Sequence, residues 1–116
     1  MYIYNALLSR VVDGDTIDVV IDIGFKLTTK QRIRLAHINT PEIFRTKTDS
    51  PSYKKGIQAK QYVEKRLLDN DNKMKIETFK TPGKYGRYIG VVILEDSDLS
   101  LNQELVQKGY ATNEKS

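Results

Sequence analysis

The sequence predicts a β-barrel with helices, an α+β fold in which five short strands form a Greek-key barrel beside two helices. Two changes of hydrophobic period indicate this class. Apolar residues recur at every second position near the N-terminus, at helical spacing between Tyr53 and Leu68, and at every second position again afterwards. Glycine and proline separate the segments. The predicted order is β-β-β-α-β-β-α in one domain, residues 1–116.

The first three strands form a predicted meander. Residues 2–12 are β-branched, aromatic and aliphatic, and residues 13–15 (DGD) form a tight turn after them. Apolar side chains then alternate over residues 17–23. A reversal near Gly24 leads to the third strand, predicted at residues 31–35, where Ile33 and Leu35 lie on one face and the arginines on the other.

The second half of the chain predicts a helix, two strands and a second helix. Residues 53–68 are amphipathic at helical spacing, and β-rich runs follow at 73–79 and 87–94. A serine N-cap, a glutamine three residues later and a final glycine bracket a short helix between Ser100 and Gly109. This connectivity is that of the OB-fold, although an α+β sandwich would give a similar order of elements.

The composition excludes several classes of site. Hydrophobic residues make up 39% and charged residues 29%, as in globular domains, and the absence of cysteine excludes disulfides, thiolate metal sites and cysteine nucleophiles. No run is long enough for a membrane span and the N-terminus lacks the features of an export signal, so the sequence as written predicts a cytoplasmic chain but leaves the compartment open. The net charge of +4 favours a polyanionic partner only weakly, because a merely soluble surface explains it equally well.

Polar residues cluster at three predicted strand ends. Asp13 and Asp15 flank the first turn, residues 34–42 (RLAHINTPE) follow the third strand, and residues 84–87 (KYGR) precede the fifth. Each segment alone is typical of a turn or a solvated loop. Together they contain what hydrolysis of a phosphodiester requires: a base for water, fixed positive charge, and oxygen ligands for a hard divalent cation.

Each of these chemical tasks has a candidate residue. Glu42 is the candidate base. Arg34 and Arg87 are candidates for the positive charge, because a guanidinium stays protonated and donates paired hydrogen bonds to phosphate oxygens. The candidate oxygen ligands of the cation are Asp15, Asn39 and the carbonyl of Thr40.

Four segments resemble the staphylococcal nuclease (thermonuclease) family, in its order and spacing. They are VVDGDT (11–16), RLAHINTPE (34–42), KYGR (84–87) and LNQELVQKGYA (101–111). The resemblance implies an OB-fold nuclease that depends on calcium, cleaves DNA and RNA, and leaves 3′-phosphate ends. Little sequence preference is expected, since the expected contacts address phosphate rather than base edges.

The resemblance also implies a role for each matching residue. Glu42 is the general base, and Arg34 and Arg87 bind the scissile phosphate and stabilise its transition state. Asp15 and the Thr40 carbonyl are calcium ligands. The remaining matches are Lys84 and Tyr85, which meet the neighbouring phosphate, and Asp13, which shapes the calcium pocket without being a principal ligand.

The chain departs from the family pattern at two places. Asn39 stands where the family usually has a second aspartate ligand, so one negative charge is lost and we expect weaker calcium binding. The sequence stops at Ser116, where family members commonly continue with further tyrosines and a last helix, and a homodimer is one candidate for covering the barrel. His37 lies within the motif at strand parity with Leu35 and Asn39, and we expect an inward or loop-packed structural role for it rather than metal binding or proton transfer.

Three functions remain open at this stage. The nuclease is favoured because Arg34, Glu42 and Arg87 are all present, and its partners would be DNA or RNA, with no membrane. The alternative is a non-catalytic nucleic-acid- or protein-binding module with a weakened metal site. A purely structural domain would leave the three polar strand ends unexplained.

Overall fold

The computed structural model of the chain describes residues 2–43, 47–78 and 88–114. Its main elements follow the predicted order, and two strands of two residues each are added to it. The elements are β1 (Tyr2–Asp13), β2 (Thr16–Gly24), β3 (Leu27–Leu35), β4 (Ile38–Asn39), α1 (Pro51–Leu68), β5 (Lys73–Thr78), β6 (Tyr88–Ile93), α2 (Leu101–Gln107) and β7 (Thr112–Asn113).

Five strands close into a barrel in the order β1-β2-β3-β6-β5. β1 pairs antiparallel with both β2 and β5, and β3 closes the barrel by pairing in parallel with β6, where Ile33 faces Tyr88. The closed barrel confirms the predicted OB-fold and excludes the sandwich. β4 and β7 form a separate two-stranded sheet beside the barrel.

The core is built from the inward positions of the alternating strands. Ile17, Ile33 and Leu35 are fully buried, as the alternation predicts. Val63 and Leu67 of α1 join this cluster, so the helix packs its apolar face against the barrel. Each such side chain contributes about 1.5–3 kcal/mol by leaving water, and together they hold the strand ends in fixed positions.

Both helices begin at an N-cap serine. The Ser50 hydroxyl accepts a hydrogen bond from the Tyr53 backbone N–H, so α1 starts at Pro51, two residues before the predicted start. Ser100 and Gln103 form the predicted capping box of α2, and Gly109 has a φ of +84° just after it. No helix in the described ranges is long and apolar enough to cross a membrane.

A buried carboxylate ties α1 to α2. Glu104 accepts hydrogen bonds from the Tyr62 hydroxyl and from Nε of Arg66, the latter at 2.7 Å. Arg66 also makes a paired ion contact with Asp96. The Tyr62 ring stacks on Tyr110 with the ring centroids 4.7 Å apart. Burial and the nearby Glu104 carboxylate raise the pKa of Tyr62.

Asn102 ties α2 to the barrel. Its amide nitrogen donates to the carbonyl oxygens of Ala36, at 2.9 Å, and Gly90, at 3.2 Å, while its amide oxygen accepts the Val92 backbone N–H at 3.1 Å. These contacts satisfy backbone groups at the point where β3 and β6 separate. The segment 101–111 is therefore part of the structural frame behind the strand ends.

The turn between β2 and β3 differs from the prediction. We expected the reversal near Gly24 and the third strand at residues 31–35, but the turn lies at Phe25 and Lys26, with φ angles of 54° and 60°, and β3 begins at Leu27. β1 stops pairing with β2 at Ala6 and Ile21, and β6 pairs with β3 only from Ile33 onward. Residues 22–30 therefore project beyond the barrel, and we call them the ribbon.

Candidate active site

The turn between β1 and β2 presents two carboxyl groups at one end of the barrel. The Asp15 backbone N–H donates to Oδ1 of Asp13 at 3.2 Å, and the Thr16 hydroxyl donates to Oδ1 of Asp15 at 3.1 Å. A Cβ at Gly14 would lie 2.8 Å from Cβ of Ala59 and 2.9 Å from Thr40. Glycine is needed here because the turn is pressed between α1 and the segment after β4.

Arg34 links this turn to β4. Its Nη1 donates to the Leu35 carbonyl oxygen at 2.7 Å, and its Nη2 donates to Oδ1 of Asn39 at 2.6 Å. The same Nη2 is 3.4 Å from Oδ2 of Asp15, and both side chains of this ion pair are largely buried. The Leu35 backbone N–H donates to the Asp15 carbonyl oxygen. The ends of β2, β3 and β4 thus meet at one guanidinium.

Thr40 lies directly against Asp15. Its backbone N–H donates to Oδ2 of Asp15 at 3.0 Å. Its hydroxyl oxygen is buried and has no hydrogen-bond partner among the residues that the structure describes. An orphaned buried oxygen next to a carboxylate is a site that a cation or a water molecule would satisfy.

The two carboxyl groups of the turn titrate differently. Burial, followed by the hydrogen bond and charge of Asp15, raises the pKa of Asp13 from 3.8 to about 7. Burial also acts to raise the pKa of Asp15, but hydrogen bonds from the Asp13 side chain and the Thr40 backbone, together with the Arg34 charge, lower it overall. Between about pH 4 and pH 7 the pair therefore holds about one proton, mainly on Asp13, and this proton is half lost near pH 7.

The structure brings four of the predicted site residues into contact: Asp15, Arg34, Asn39 and Thr40. Glu42 follows Thr40 by two residues and is exposed to solvent, and within the described part of the chain no hydrogen bond to its side chain is present. The remaining three predicted residues, Lys84, Tyr85 and Arg87, lie outside the described residues.

His37 occupies the turn between β3 and β4. Its φ of 67° is in the left-handed region, and its carbonyl oxygen accepts the Glu114 backbone N–H at 2.8 Å. The side chain is exposed. Its backbone therefore helps to join β4 to β7, whereas its exposed side chain does not take the inward position expected for it.

The oxygen donors at this strand end fit a hard divalent cation. Asp15 and Asn39 offer carboxylate and amide oxygens that meet at the same Arg34 nitrogen, and Thr40, whose hydroxyl oxygen is unsatisfied, donates its backbone N–H to the same Asp15 carboxylate. No group of three or more His, Asp or Glu side chains within residues 2–43, 47–78 and 88–114 is placed to hold a metal ion. The site thus offers one carboxylate, that of Asp15, together with neutral oxygens.

Two small residues of α1 position the site and were not predicted. A Cβ at Gly56 would lie 2.5 Å from Cγ2 of Ile43 and 2.7 Å from the Pro41 carbonyl oxygen. Ala59, one turn further along, contacts the first turn at Gly14. The available signal was a glycine within an otherwise good helix, a position where glycine costs about 1 kcal/mol relative to alanine.

The sequence comparisons agree with this geometry. The family model described as "Staphylococcal nuclease homologue" matches residues 32–116, which include the segment from Arg34 to Glu42 and all of α1 and α2. The chain belongs to this family. The family resemblance is therefore confirmed, and three of the four segments lie within the matched residues.

Two curated relatives carry nuclease names. The chain is 35% identical over 112 residues to "Endonuclease YhcR" of Bacillus subtilis (strain 168), an alignment that covers 93% of this chain and 9% of that protein. It is 34% identical over 106 residues to "Thermonuclease" of Staphylococcus intermedius, covering 90% of this chain and 56% of that protein. The chain thus spans about half of one of these relatives and a small part of the other.

Proposed function

We propose that this chain is a metal-dependent nuclease domain, residues 1–116, that hydrolyses phosphodiester bonds of DNA and RNA with little sequence specificity and leaves 3′-phosphate ends. The observation that carries the proposal is the anchoring of Arg34 between Asp15 and Asn39 in a staphylococcal nuclease homologue. The named nucleases among its relatives support the same reaction class.

Arg34 is suited to hold a phosphate at this strand end. Two of its five N–H donors serve the Leu35 carbonyl and Asn39, so donors remain for phosphate oxygens. Its contacts also fix the orientation of the guanidinium before substrate arrives, which is what stabilisation of a developing negative charge requires. Arg87 supplies a second guanidinium in this proposal.

Glu42 is the proposed general base. Its carboxylate is exposed, two residues after the fixed Thr40, so it is accessible to the water that attacks phosphorus. General acid–base catalysis of this kind is worth about 10²–10⁴ in rate. Lys84 and Tyr85 would meet the adjoining phosphate of the strand.

Asp15, Asn39 and Thr40 would hold one calcium ion through oxygen atoms. When bound, the ion polarises the phosphate and orients the attacking water. The chain contributes through the lowered pKa of Asp15, which keeps this ligand ionised at neutral pH. Asn39 adds an amide oxygen without charge, so we expect calcium to bind more weakly than it would to two carboxylates.

Cleavage of labelled single-stranded DNA and RNA, with calcium titrated in and then removed by chelator, tests the proposal. We expect calcium-dependent cleavage, a loss of about 10²–10⁴ in Glu42→Gln, and a mobility shift of the products after phosphatase treatment. Glu64→Gln, at an exposed position of α1, is the matched control and should keep full activity. Full activity of Glu42→Gln, or cleavage unaffected by chelator, would contradict the proposal.

A non-catalytic nucleic-acid-binding module is the second candidate. It is favoured by one contact: the Arg34 guanidinium, a cation, already occupies the Asn39 amide oxygen that a metal ion would use. Binding of single-stranded DNA without cleavage at any calcium concentration would support it. The homodimer expected from the sequence is not supported by these observations and forms no part of either proposal.

A further inference from the structure

The outer face of β3 carries a row of basic side chains that starts at the candidate active site. Lys30, Arg32 and Arg34 occupy every second position, while Ile33 and Leu35 between and beyond them are fully buried on the inner face. Side chains at this spacing lie about 7 Å apart along a strand. The row therefore runs from Arg34 about 14 Å toward the ribbon.

Two members of this row have a carboxylate partner, since Arg34 pairs with Asp15 and Arg32 pairs with Asp18. Arg32 makes a paired contact with Asp18 on the neighbouring strand, through Nε at 2.7 Å and Nη2 at 3.1 Å. Lys30 and Lys26 are exposed, and neither has an ion-pair partner within the described part of the chain. Positive charge thus continues past the barrel and along the ribbon.

An aromatic side chain stands at the tip of the ribbon. Phe25 is 97% exposed and has a φ of 54°, a conformation that is unfavourable for a bulky residue. The turn is held in part by Asp22, which accepts the Gly24 backbone N–H at 2.9 Å. Backbone strain of this kind occurs mainly at ligand-binding and active sites, which indicates a ligand for the exposed ring.

We propose that β3 and the ribbon form a binding track for single-stranded nucleic acid that extends from the candidate active site to Phe25. Lys30 binds backbone phosphate, Arg32 exchanges part of its Asp18 contact for phosphate, and Phe25 stacks on a base. This inference rests on the proposed function for the end of the track at Arg34. It adds contacts several nucleotides from the scissile bond.

The dimensions and the charge order favour a nucleic-acid strand over a lipid surface. Nine residues separate Arg34 from Phe25, which is about 30 Å of extended chain and matches a site of several nucleotides on an OB-fold. Arg34, Arg32 and Lys30 follow a line from the catalytic end, whereas the tip itself carries one cation, Lys26, beside three exposed apolar side chains, Ile23, Phe25 and Leu27. A lipid surface would be contacted at the tip alone and would leave the row along β3 unused.

Binding in the presence of chelator tests the track separately from catalysis. We would measure fluorescence anisotropy of labelled oligodeoxythymidylates of two lengths. The one of about 3 nucleotides is shorter than the usual OB-fold binding site, and the one of about 12 nucleotides lies within the usual range of site sizes. Phe25→Ser should weaken binding of the long strand by about tenfold. Lys30→Ala should reduce the slope of log affinity against log salt concentration by the amount expected for about one phosphate contact. Neither should change the affinity for the short strand.

The controls separate a lost contact from a lost fold. Phe25→Tyr keeps an aromatic face and should restore the affinity, while Lys65→Ala removes an exposed lysine from α1, which packs against β1 and β5, and should leave it unchanged. Circular dichroism would establish that each variant is folded. Affinity that depends on Phe25 and Lys30 without cleavage would support the track and contradict the nuclease.

Three results would overturn the track. The first is equal long-strand affinity for all variants. The second is binding of anionic phosphatidylserine vesicles that requires Phe25 while DNA affinity does not, which would assign the tip to a lipid surface. The third is a concentration-dependent dimer that Phe25→Ser dissociates, again with unchanged DNA affinity, which would assign the tip to a second copy of the chain.

Discussion

The amide oxygen of Asn39 is a central contact of the candidate active site. Its amide oxygen accepts a hydrogen bond from Arg34 at 2.6 Å, and the same arginine nitrogen lies 3.4 Å from Asp15. Replacing a carboxylate by an amide keeps the geometry of this contact but removes a charge that both the guanidinium and a cation would favour. We therefore expect Asn39 to affect the proposed phosphate binding by Arg34 as well as the proposed metal binding.

Asn39→Asp is expected to strengthen calcium binding. One added negative charge near the ion is worth roughly 1–4 kcal/mol between water and a protein surface, so the calcium concentration for half-maximal cleavage should fall about tenfold. The calcium-induced rise in melting temperature should grow as well, which is a readout independent of activity. Asn5→Asp, at an exposed position of β1, is the matched control. An unchanged calcium requirement would mean that Asn39 is not a ligand.

Residue identity predicted part of the site directly. Asp15, Arg34, Asn39 and Thr40 were chosen as polar residues at strand ends, and they are in contact. The unsatisfied hydroxyl oxygen of Thr40 was not predicted, because hydrogen-bond satisfaction depends on every neighbour in three dimensions.

At the scale of elements, α1 supports the segment of residues 40–43. Gly56 and Ala59 leave room for residues 40–43 to lie across the helix and for the first turn to approach it. The hydrophobic pattern predicted the helix and its buried face, since periodicity depends only on local sequence. It did not predict which small residues a distant segment would touch.

Gly56→Ala should destabilise the protein, although it improves helix propensity. The added Cβ would lie 2.5 Å from Ile43 and 2.7 Å from a backbone oxygen, and overpacking of this kind costs about 1–3 kcal/mol, against a gain of about 1 kcal/mol for the helix. The midpoint of urea unfolding should fall. Gln58→Ala, exposed on the same helix, should be neutral or slightly stabilising. A Gly56→Ala variant more stable than wild type would show that residues 40–43 do not require this space.

The positions of the β2–β3 turn and of the start of β3 in the ribbon were predicted incorrectly. Glycine at position 24 indicated the reversal, but the turn residues are Phe25 and Lys26 with positive φ angles. Such turns normally use Gly, Asn or Asp. Residue propensity therefore predicted the turn one or two positions before its observed place, and predicted the start of β3 four positions after the observed start at Leu27. The two-residue strands β4 and β7 carry no pattern long enough to detect.

At the scale of the whole molecule, barrel closure holds the candidate site together. Arg34 and Asp15 come from neighbouring strands, and the contacts of Glu104 and Asn102 hold α2 against α1 and against the strand ends. Unfolding of the barrel must therefore disperse the paired carboxyl groups. Their protonation is consequently linked to global stability.

The stability of the wild-type protein should fall as the pH rises from about 4 to 7, relative to Asp13→Asn. The folded-state pKa of Asp13 is raised from 3.8 to about 7, so in this range the unfolded chain releases a proton that the folded chain retains. Both proteins should be similar below pH 4. Above pH 7 the difference should level off at about 1–2 kcal/mol, allowing for solvent screening of this partly exposed carboxyl.

Urea unfolding at intervals across this pH range provides the measurement. Asp49→Asn, in an exposed loop, should follow the wild-type curve. Asn at position 13 can still donate to Asp15, so the lowered pKa of Asp15 is retained and cancels from the comparison. Parallel curves for wild type and Asp13→Asn would show that Asp13 is not protonated in the folded protein.

The sequence by itself determined the fold class, the order of the main elements, the capping of α2 and the four residues that meet at the strand ends. These features depend on local periodicity, turn chemistry and a family motif, all of which are readable in short segments. Membership of the staphylococcal nuclease homologue family followed from four such segments and was confirmed by the match over residues 32–116.

Only the tertiary structure decided how those residues are held and what surrounds them. It placed Asp15 and Asn39 on one guanidinium nitrogen, raised the pKa of Asp13 by burial, and pressed Gly14 and Gly56 against distant backbone and side chains. It also left Phe25 projecting into solvent. Each of these depends on burial and close approach between segments far apart in the chain, which are properties of the closed barrel and not of any local stretch.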